Sequence, residues 1–264
     1  QARQNYEIVS QHLSIDKTLT HDSLYGAIFD IEKILSKKET KEIIEKQKNL
    51  SLRYIKEFNN GEHSIEIQYK LGFIAYKQSN YEQALQYIKP LLNNNKYEEI
   101  RIKSEDLILD IYNIQKDYMS IQSLAKNIIA KPLLTDRKTL LKKIIEEAHY
   151  SQVQIDMKNL PTQKQIDRLV DFAKNHTDTK LGQDAYWQSV SMAYSAGYDT
   201  LGATLSTSYI KEYPNDERKG DALKDALKAH LDSGNIKSAI SVLKNLAEID
   251  IKNQRVHTEL ICDL

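Results

Sequence analysis

The sequence predicts an all-α chain built from consecutive antiparallel helix pairs, on three observations. Only 8 Gly and 4 Pro punctuate the 264 residues, too few for the many tight turns of an all-β fold. Apolar residues recur three and four apart, as at Leu24, Ala27, Ile28 and Ile31, which is the spacing of one helical face. Two similar short turns, Ala196-Gly197-Tyr198 and Ser233-Gly234-Asn235, place glycines 37 residues apart. A fixed period of that length marks stacked structural repeats.

Composition narrows the class of work. Lys plus Arg and Asp plus Glu both number 37, so the net charge is zero. That balance provides no electrostatic drive toward nucleic acid or an acidic lipid surface. Mean hydropathy is −0.57, and no run approaches the ~20 apolar residues that cross a bilayer. Cys262 is the only cysteine, which excludes an internal disulfide and a multi-cysteine metal site. The chain opens on Gln1 rather than Met, so these residues are expected to follow either a cleavage or a boundary chosen within a longer chain, and export is left open.

Residues 1–62 read as N-terminal helices, a degenerate repeat or cap. Asp22 or Ser23 is a cap candidate for a helix with the stripe Leu24, Ala27, Ile28, Ile31 and Ile34. Ser36 to Glu39 forms a turn, and Thr40 starts a helix running to about Phe58. Asn59-Asn60-Gly61 is expected to end it, because Asn and Gly tolerate the left-handed conformation after a helix. Residues 63–264 then form an array of about five helix pairs, continuing or capped at the C-terminus. Its turns fall at Ser79, at Lys116-Asp117-Tyr118, at Asn159-Leu160-Pro161, and at Gly197 and Gly234. Pro161 is expected at the first helical position. The third pair, within the 81 residues separating Lys116 from Gly197, is the most degenerate. Val256, Leu260 and Ile261 begin a sixth first helix with no second helix after it.

The stretch from Leu71 to Leu85 is the best-preserved unit. Leu71-Gly72 lies in its first helix, Tyr76 and Tyr81 flank the turn, and Ala84 sits early in the second helix. Gly72 and Ala84 fall where paired helices must approach closely. This stretch resembles a tetratricopeptide repeat, whose usual period is ~34 residues; the period of 37 here implies longer helices or loops. With Ser79 taken as consensus position 15, Ala84, Gly202 and Ala239 occupy the small position 20, and Pro214 takes position 32.

The resemblance implies a right-handed superhelical solenoid whose first-helix positions 5, 9 and 12 line a concave groove. Those positions are Tyr69, Phe73 and Tyr76 in one copy, Trp187 and Tyr194 in another, and Lys224 and Lys228 in the last. Large aromatics bury much area with few rotors and so serve as interface anchors. The family's carboxylate clamp needs Lys and Asn at positions 5 and 9, where Tyr69 and Phe73 and then Asp106 and Asp110 stand; a chaperone-tail clamp is disfavoured. Acidic Asp106 and Asp110 with basic Lys224 and Lys228 would give the groove ends opposite sign, suited to orienting an extended partner or to self-association through repeat ends. The resemblance thus implies a non-enzymatic scaffold that mediates protein–protein interaction through its groove, holding another protein or a peptide segment. The alternative is a structural strut of a bacterial periplasmic assembly, such as an outer-membrane biogenesis complex or a flagellar-motor cage. Tyr213-Pro214-Asn215 resembles the bacterial envelope branch, which favours the periplasm, with the cytoplasm as alternative.

Chemistry-bearing motifs are sparse. The seven histidines are scattered, without a His-x-x-x-His or His-Glu-x-x-His pairing. Neither a Gly-x-x-x-x-Gly-Lys phosphate loop nor a Gly-x-Gly-x-x-Gly turn occurs, and the Gly-x-Ser-x-Gly elbow is absent as well. His257 and Cys262 stand five apart, a coincidence rather than a base and nucleophile. No catalytic residue, cofactor or metal ligand is predicted.

Overall fold

The computed structural model describes residues 17–38, 40–94 and 96–249. Among them are twelve α-helices, one 3-10 segment and no strand, so the chain is all-α. No helix among the described residues is long and apolar enough to cross a membrane. The expected helix at 254–264 and the His257–Cys262 pair lie outside the described residues.

The helices are α1 (Lys17–Leu35), α2 (Lys41–Glu57), α3 (Ser64–Lys77), α4 (Tyr81–Ile88), α5 (Glu98–Ile114) and α6 (Tyr118–Ile129). They continue as α7 (Thr135–Met157), α8 (Thr162–Asn175), α9 (Lys180–Ser195), α10 (Asp199–Glu212), α11 (Lys219–Asp232) and α12 (Ile236–Ile249), with the 3-10 turn Lys89–Asn93 following α4. The chain separates into two compact units, Gln1–Leu124 and Ala125–Leu264. The expected division at 62–63 concerns repeat character, which this compactness does not address.

In the first unit, α1 packs on α2, α2 on α3 and α3 on α4, and α3 also meets α5. Leu24, Ile28, Tyr54 and Ile67 form one buried cluster, and Ala75, Ala84, Ile88, Leu107, Ile108 and Ile111 another. In the second unit each helix from α7 to α12 packs on the next. Its main core gathers Ile166, Leu169, Phe172, Val190, Leu205 and Tyr209. These contacts are local in sequence, as helix hairpins require.

Four connections share one turn. Ser79, Lys116, Gly197 and Gly234 all take positive φ, at 58, 57, 73 and 68°. At each, the left-handed residue's N–H reaches the carbonyl three back, and the next N–H reaches five back. Ser79 N donates to Tyr76 O and Asn80 N to Ala75 O; Gly234 N donates to Leu231 O and Asn235 N to His230 O. This Schellman pairing satisfies carbonyls that a helix end otherwise leaves without partners. The next residue starts the following helix at once: Asn80, Asp117 and Asn235 accept from the backbone N–H three residues on, capping α4, α6 and α12. The 37-residue spacing of Ser79 from Lys116, and of Gly197 from Gly234, is thus a spacing of identical turn geometry.

Ser79 and Lys116 carry a side chain where glycine is favoured. The left-handed conformation costs an L-residue roughly 1–2 kcal/mol, offset by the ~0.5–1 kcal/mol of chain entropy that glycine would lose. Lys116→Gly is therefore expected to stabilise the protein by about 0.5–1 kcal/mol. Gly197→Ala, at a site where a Cβ meets nothing within 4 Å, is expected to destabilise it by about 1 kcal/mol through backbone conformation alone. Urea midpoints would decide this, and unchanged midpoints for both variants would refute the assigned turn conformation.

Several expectations need correction. α1 begins at Lys17, so Asp22 and Ser23 lie inside the helix rather than capping it; Ser23 is buried as a small residue. Ile34 closes the predicted stripe but is 36% exposed. Gly61 is not left-handed. Its glycine is a matter of space, because a Cβ would lie 2.9 Å from the Tyr54 hydroxyl and 3.1 Å from His21 Nε2. Pro161 occupies the N-cap of α8, with ψ 147°, one residue before the first helical position. Among the described residues, the α7–α8 connection has no left-handed residue, so the degenerate third pair turns by a different geometry.

Candidate functional site

α3 has two working faces. Ile67, Leu71 and Ala75 are buried against its neighbours. Tyr69, Phe73 and Tyr76, spaced four and three apart, share another face. Their rings run in near-parallel succession, with centroids 6.4 Å apart from Tyr69 to Phe73 and 6.1 Å from Phe73 to Tyr76. Phe73 is 41% exposed, a large apolar ring in water.

Beside this face lies a cavity of about 320 Å³, open to solvent on one side. Leu35 of α1, Ile44 of α2, and Tyr69, Phe73 and Ile74 of α3 supply its apolar walls. Its polar wall is an ion-pair network. Lys70 Nζ lies 2.8 Å from Glu32 Oε1 and 2.5 Å from Glu66 Oε1, and buried Gln47 donates to Glu32 over 3.1 Å. Burial pulls the Lys70 ammonium down, but its hydrogen bonds to Glu32 and Glu66 outweigh that and hold its pKa above the usual value. For Glu66, burial pushes the carboxyl up while Lys70 pulls it below its usual range. The network ties α1 to α3 beside the cavity, one ammonium shared between two carboxylates.

The aromatic face continues toward α5. The Tyr76 hydroxyl donates to Asp110, and that bond, with some burial, raises the phenol pKa. Burial raises the Tyr69 phenol, with Lys103 pulling it down and Asp106 pushing it up. Asp106 and Asp110 are both exposed. Tyr69, Phe73 and Tyr76 are therefore brought together, next to a cavity.

The other predicted groove residues lie in the second unit. Trp187 is partly buried against the main core, its ring 5.4 Å from that of Tyr209. The Arg218 guanidinium sits 5.6 Å from the Trp187 centroid. Arg218 also donates to Asp216 through Nε at 2.7 Å and to Asp184 at 2.8 Å, so Trp187 is the platform under a clamped loop. Tyr194 packs against α10, where a Cβ on Gly202 would lie 2.6 Å from its ring, and its hydroxyl meets Ser206 over 3.2 Å. Both aromatics are engaged within their own unit. Lys224 and Lys228 are exposed on α11.

Two further clusters have the residue types of chemistry. Asp22 Oδ1 lies 2.8 Å from His21 Nδ1, and His21 Nε2 lies 2.5 Å from the Tyr54 hydroxyl. The order carboxylate, imidazole, hydroxyl matches a charge relay, yet Tyr54 has no exposed surface. No substrate reaches the hydroxyl, and the bond fastens α1 to α2. His149 Nδ1 and His176 Nε2 are 3.0 Å apart beside Phe172; burial, then His176, push the His149 imidazole below its usual pKa. Among the described residues, no group of three or more His, Cys, Asp or Glu side chains is placed to hold a metal ion.

Glu32, Leu35 and Gln47 were absent from the predicted site. Glu66 and Lys70 stand four apart, a spacing that signals a helical pair, but Glu32 comes from 38 residues upstream with no local mark. Compared with protein-family models and with curated proteins, the sequence matches none.

Proposed function

We propose that this chain is a non-enzymatic scaffold of the tetratricopeptide type, holding another protein by a peptide segment laid on the face of α3. The observation that carries the proposal is the apolar cavity beside an exposed Phe73. A concave apolar wall with a satisfied polar floor suits a side-chain anchor, and exposed aromatic surface gains free energy when covered. The identical turns support the repeat reading. The aromatic face falls on the positions that resemblance assigns to the groove.

A second reading, a strut within a bacterial envelope assembly in the periplasm, draws on the second unit. There Trp187 and Tyr194 are engaged by Arg218 and α10 rather than open, as a load-bearing unit requires. Capture from lysate of the native source, followed by mass spectrometry, separates the readings. Tyr69→Ala with Phe73→Ala is expected to abolish partner capture while circular dichroism stays helical. Capture undiminished by the double change would end the α3 proposal; helicity lost along with capture would reassign the two rings to the core.

A further inference from the structure

We propose that His149 and His176 form an acid-sensitive latch in the second unit, holding α7 to the turn between α8 and α9 as long as one of the two rings is neutral. The face of α7 that meets this turn is polar over one stretch. Glu146, His149 and Tyr150 stand three and four residues apart, on one side of the helix. Glu146 accepts from the hydroxyl of Thr179, the N-cap of α9. Tyr150 donates to Gln188 of α9 over 2.7 Å, and His149 meets His176, the C-cap of α8, over 3.0 Å. The turn they grip has no slack. The Thr179 N–H donates to the His176 carbonyl over 3.2 Å, and a Cβ on Gly182 would lie 1.9 Å from that carbonyl oxygen.

An N–H···N bond needs a donor on one ring and a lone pair on the other. Two neutral imidazoles provide both, and so does a neutral ring facing an imidazolium. Two imidazoliums cannot: both facing nitrogens would carry hydrogens, and two like charges would stand 3.0 Å apart. The surroundings distinguish the rings. Glu146 Oε1 lies 3.9 Å from His176 Nδ1, which makes His176 the ring suited to carry the shared charge. The charges that bear on His149 are those of His176 and of Lys126 from α6; burial first, then these two, hold its imidazole below the usual pKa. At the start of α9, Lys180 is engaged by Asp184 and Asp216. His21 differs, because its partners Asp22 and the Tyr54 hydroxyl can both accept from an imidazolium. An unfolded imidazole takes up its proton near pH ~6.5, and native His149 resists it, so the native state loses stability as pH falls from there.

The test uses the full chain and hydrogen exchange at about pH 7.5 and about pH 5.5, corrected for the intrinsic pH dependence of exchange. In the wild type, residues 141–153 and 172–182 are expected to lose about tenfold in protection at the lower pH, the equivalent of one pKa unit, while α12 keeps its own. His149→Gln retains a donor and an acceptor that do not titrate and is expected to abolish this selective loss, with circular dichroism checking its fold. His230→Gln is expected to keep it; burial also holds His230 below its usual pKa, but on α11. Protection lost evenly along the chain, or unchanged throughout, would overturn the latch. So would a selective loss that survives in folded His149→Gln or vanishes in His230→Gln. Imidazole proton resonances of the wild type decide the matter without any substitution. His149 should take up its proton together with the loss of protection, and a His149 that titrates fully while 172–182 stays protected would refute the proposal.

Discussion

Gly72→Leu is expected to cost about 3 kcal/mol or more, a large part of the ~5–15 kcal/mol that holds a typical domain folded. Gly72 is buried in α3 where α4 crosses it. Even a Cβ there would collide with the Cδ1 and Cγ1 atoms of Ile88 and lie 3.4 Å from the Ala84 carbonyl. Ile88 has no exposed surface, so it has nowhere to swing, and the clash must be relieved by pushing the helices apart. That movement would also strip Leu71, Ala75 and Ala84 of their close contacts. Urea denaturation followed by circular dichroism measures the loss, and a wild-type midpoint in this variant would refute the helix pairing. A gentler pair sharpens the test. Gly72→Ala should be partly rescued by Ile88→Val, because the second change removes the Cδ1 that a new Cβ meets.

Arg218→Met is expected to destabilise the second unit by about 2–3 kcal/mol. Asp216 is only 3% exposed and takes two guanidinium hydrogen bonds plus the Arg218 backbone N–H. Removing one partner of a buried pair leaves an uncompensated charge, worth ~3–5 kcal/mol when fully enclosed. Arg218 is itself 19% exposed and Gln183 still donates to Asp216, so the lower end applies. The acid limb of the stability curve provides a separate readout. Hydrogen bonds from Arg218 hold the Asp216 carboxyl well below the usual carboxylate range. A carboxylate depressed on folding stabilises the native state above its unfolded pKa of ~3.9 and loses that contribution as pH falls toward the folded value. The wild type should therefore weaken below about pH 4, and Arg218→Met should start lower at neutral pH but decline less steeply. Parallel curves would mean that Arg218 does not set the state of Asp216.

These two sites differ in how far the sequence reveals them. Gly72 beside Leu71, with Ala84 twelve residues on, marks a close crossing because small residues at a helix contact have a geometric reason that the pattern carries. The turns at Gly197 and Gly234 are legible for the same kind of reason. Those at Ser79 and Lys116 were placed by register alone, since a serine or lysine does not advertise positive φ. The α1 start was missed because Asp22 and Ser23 have the residue types of a cap while the helix had already begun. At the site, the four-then-three spacing of Tyr69, Phe73 and Tyr76 puts them on one face by arithmetic. The cavity beside them depends on Leu35 and Ile44 arriving from other helices, and the role of Trp187 depends on Arg218, 31 residues downstream. Such meetings are tertiary, and local spacing does not encode them.

The four shared turns set where the chain can change length. In each, a single left-handed residue is followed directly by the residue that starts the next helix, so the connection has no slack. One residue inserted there would rotate the second helix by about 100° and swing its apolar stripe off its partner. The connections after α4 and α10 are longer than these turns. Divergence in repeat length should therefore collect between hairpins and spare their interiors, and a fusion or epitope graft would be tolerated better at Asn94 than at Ser79 or Gly234.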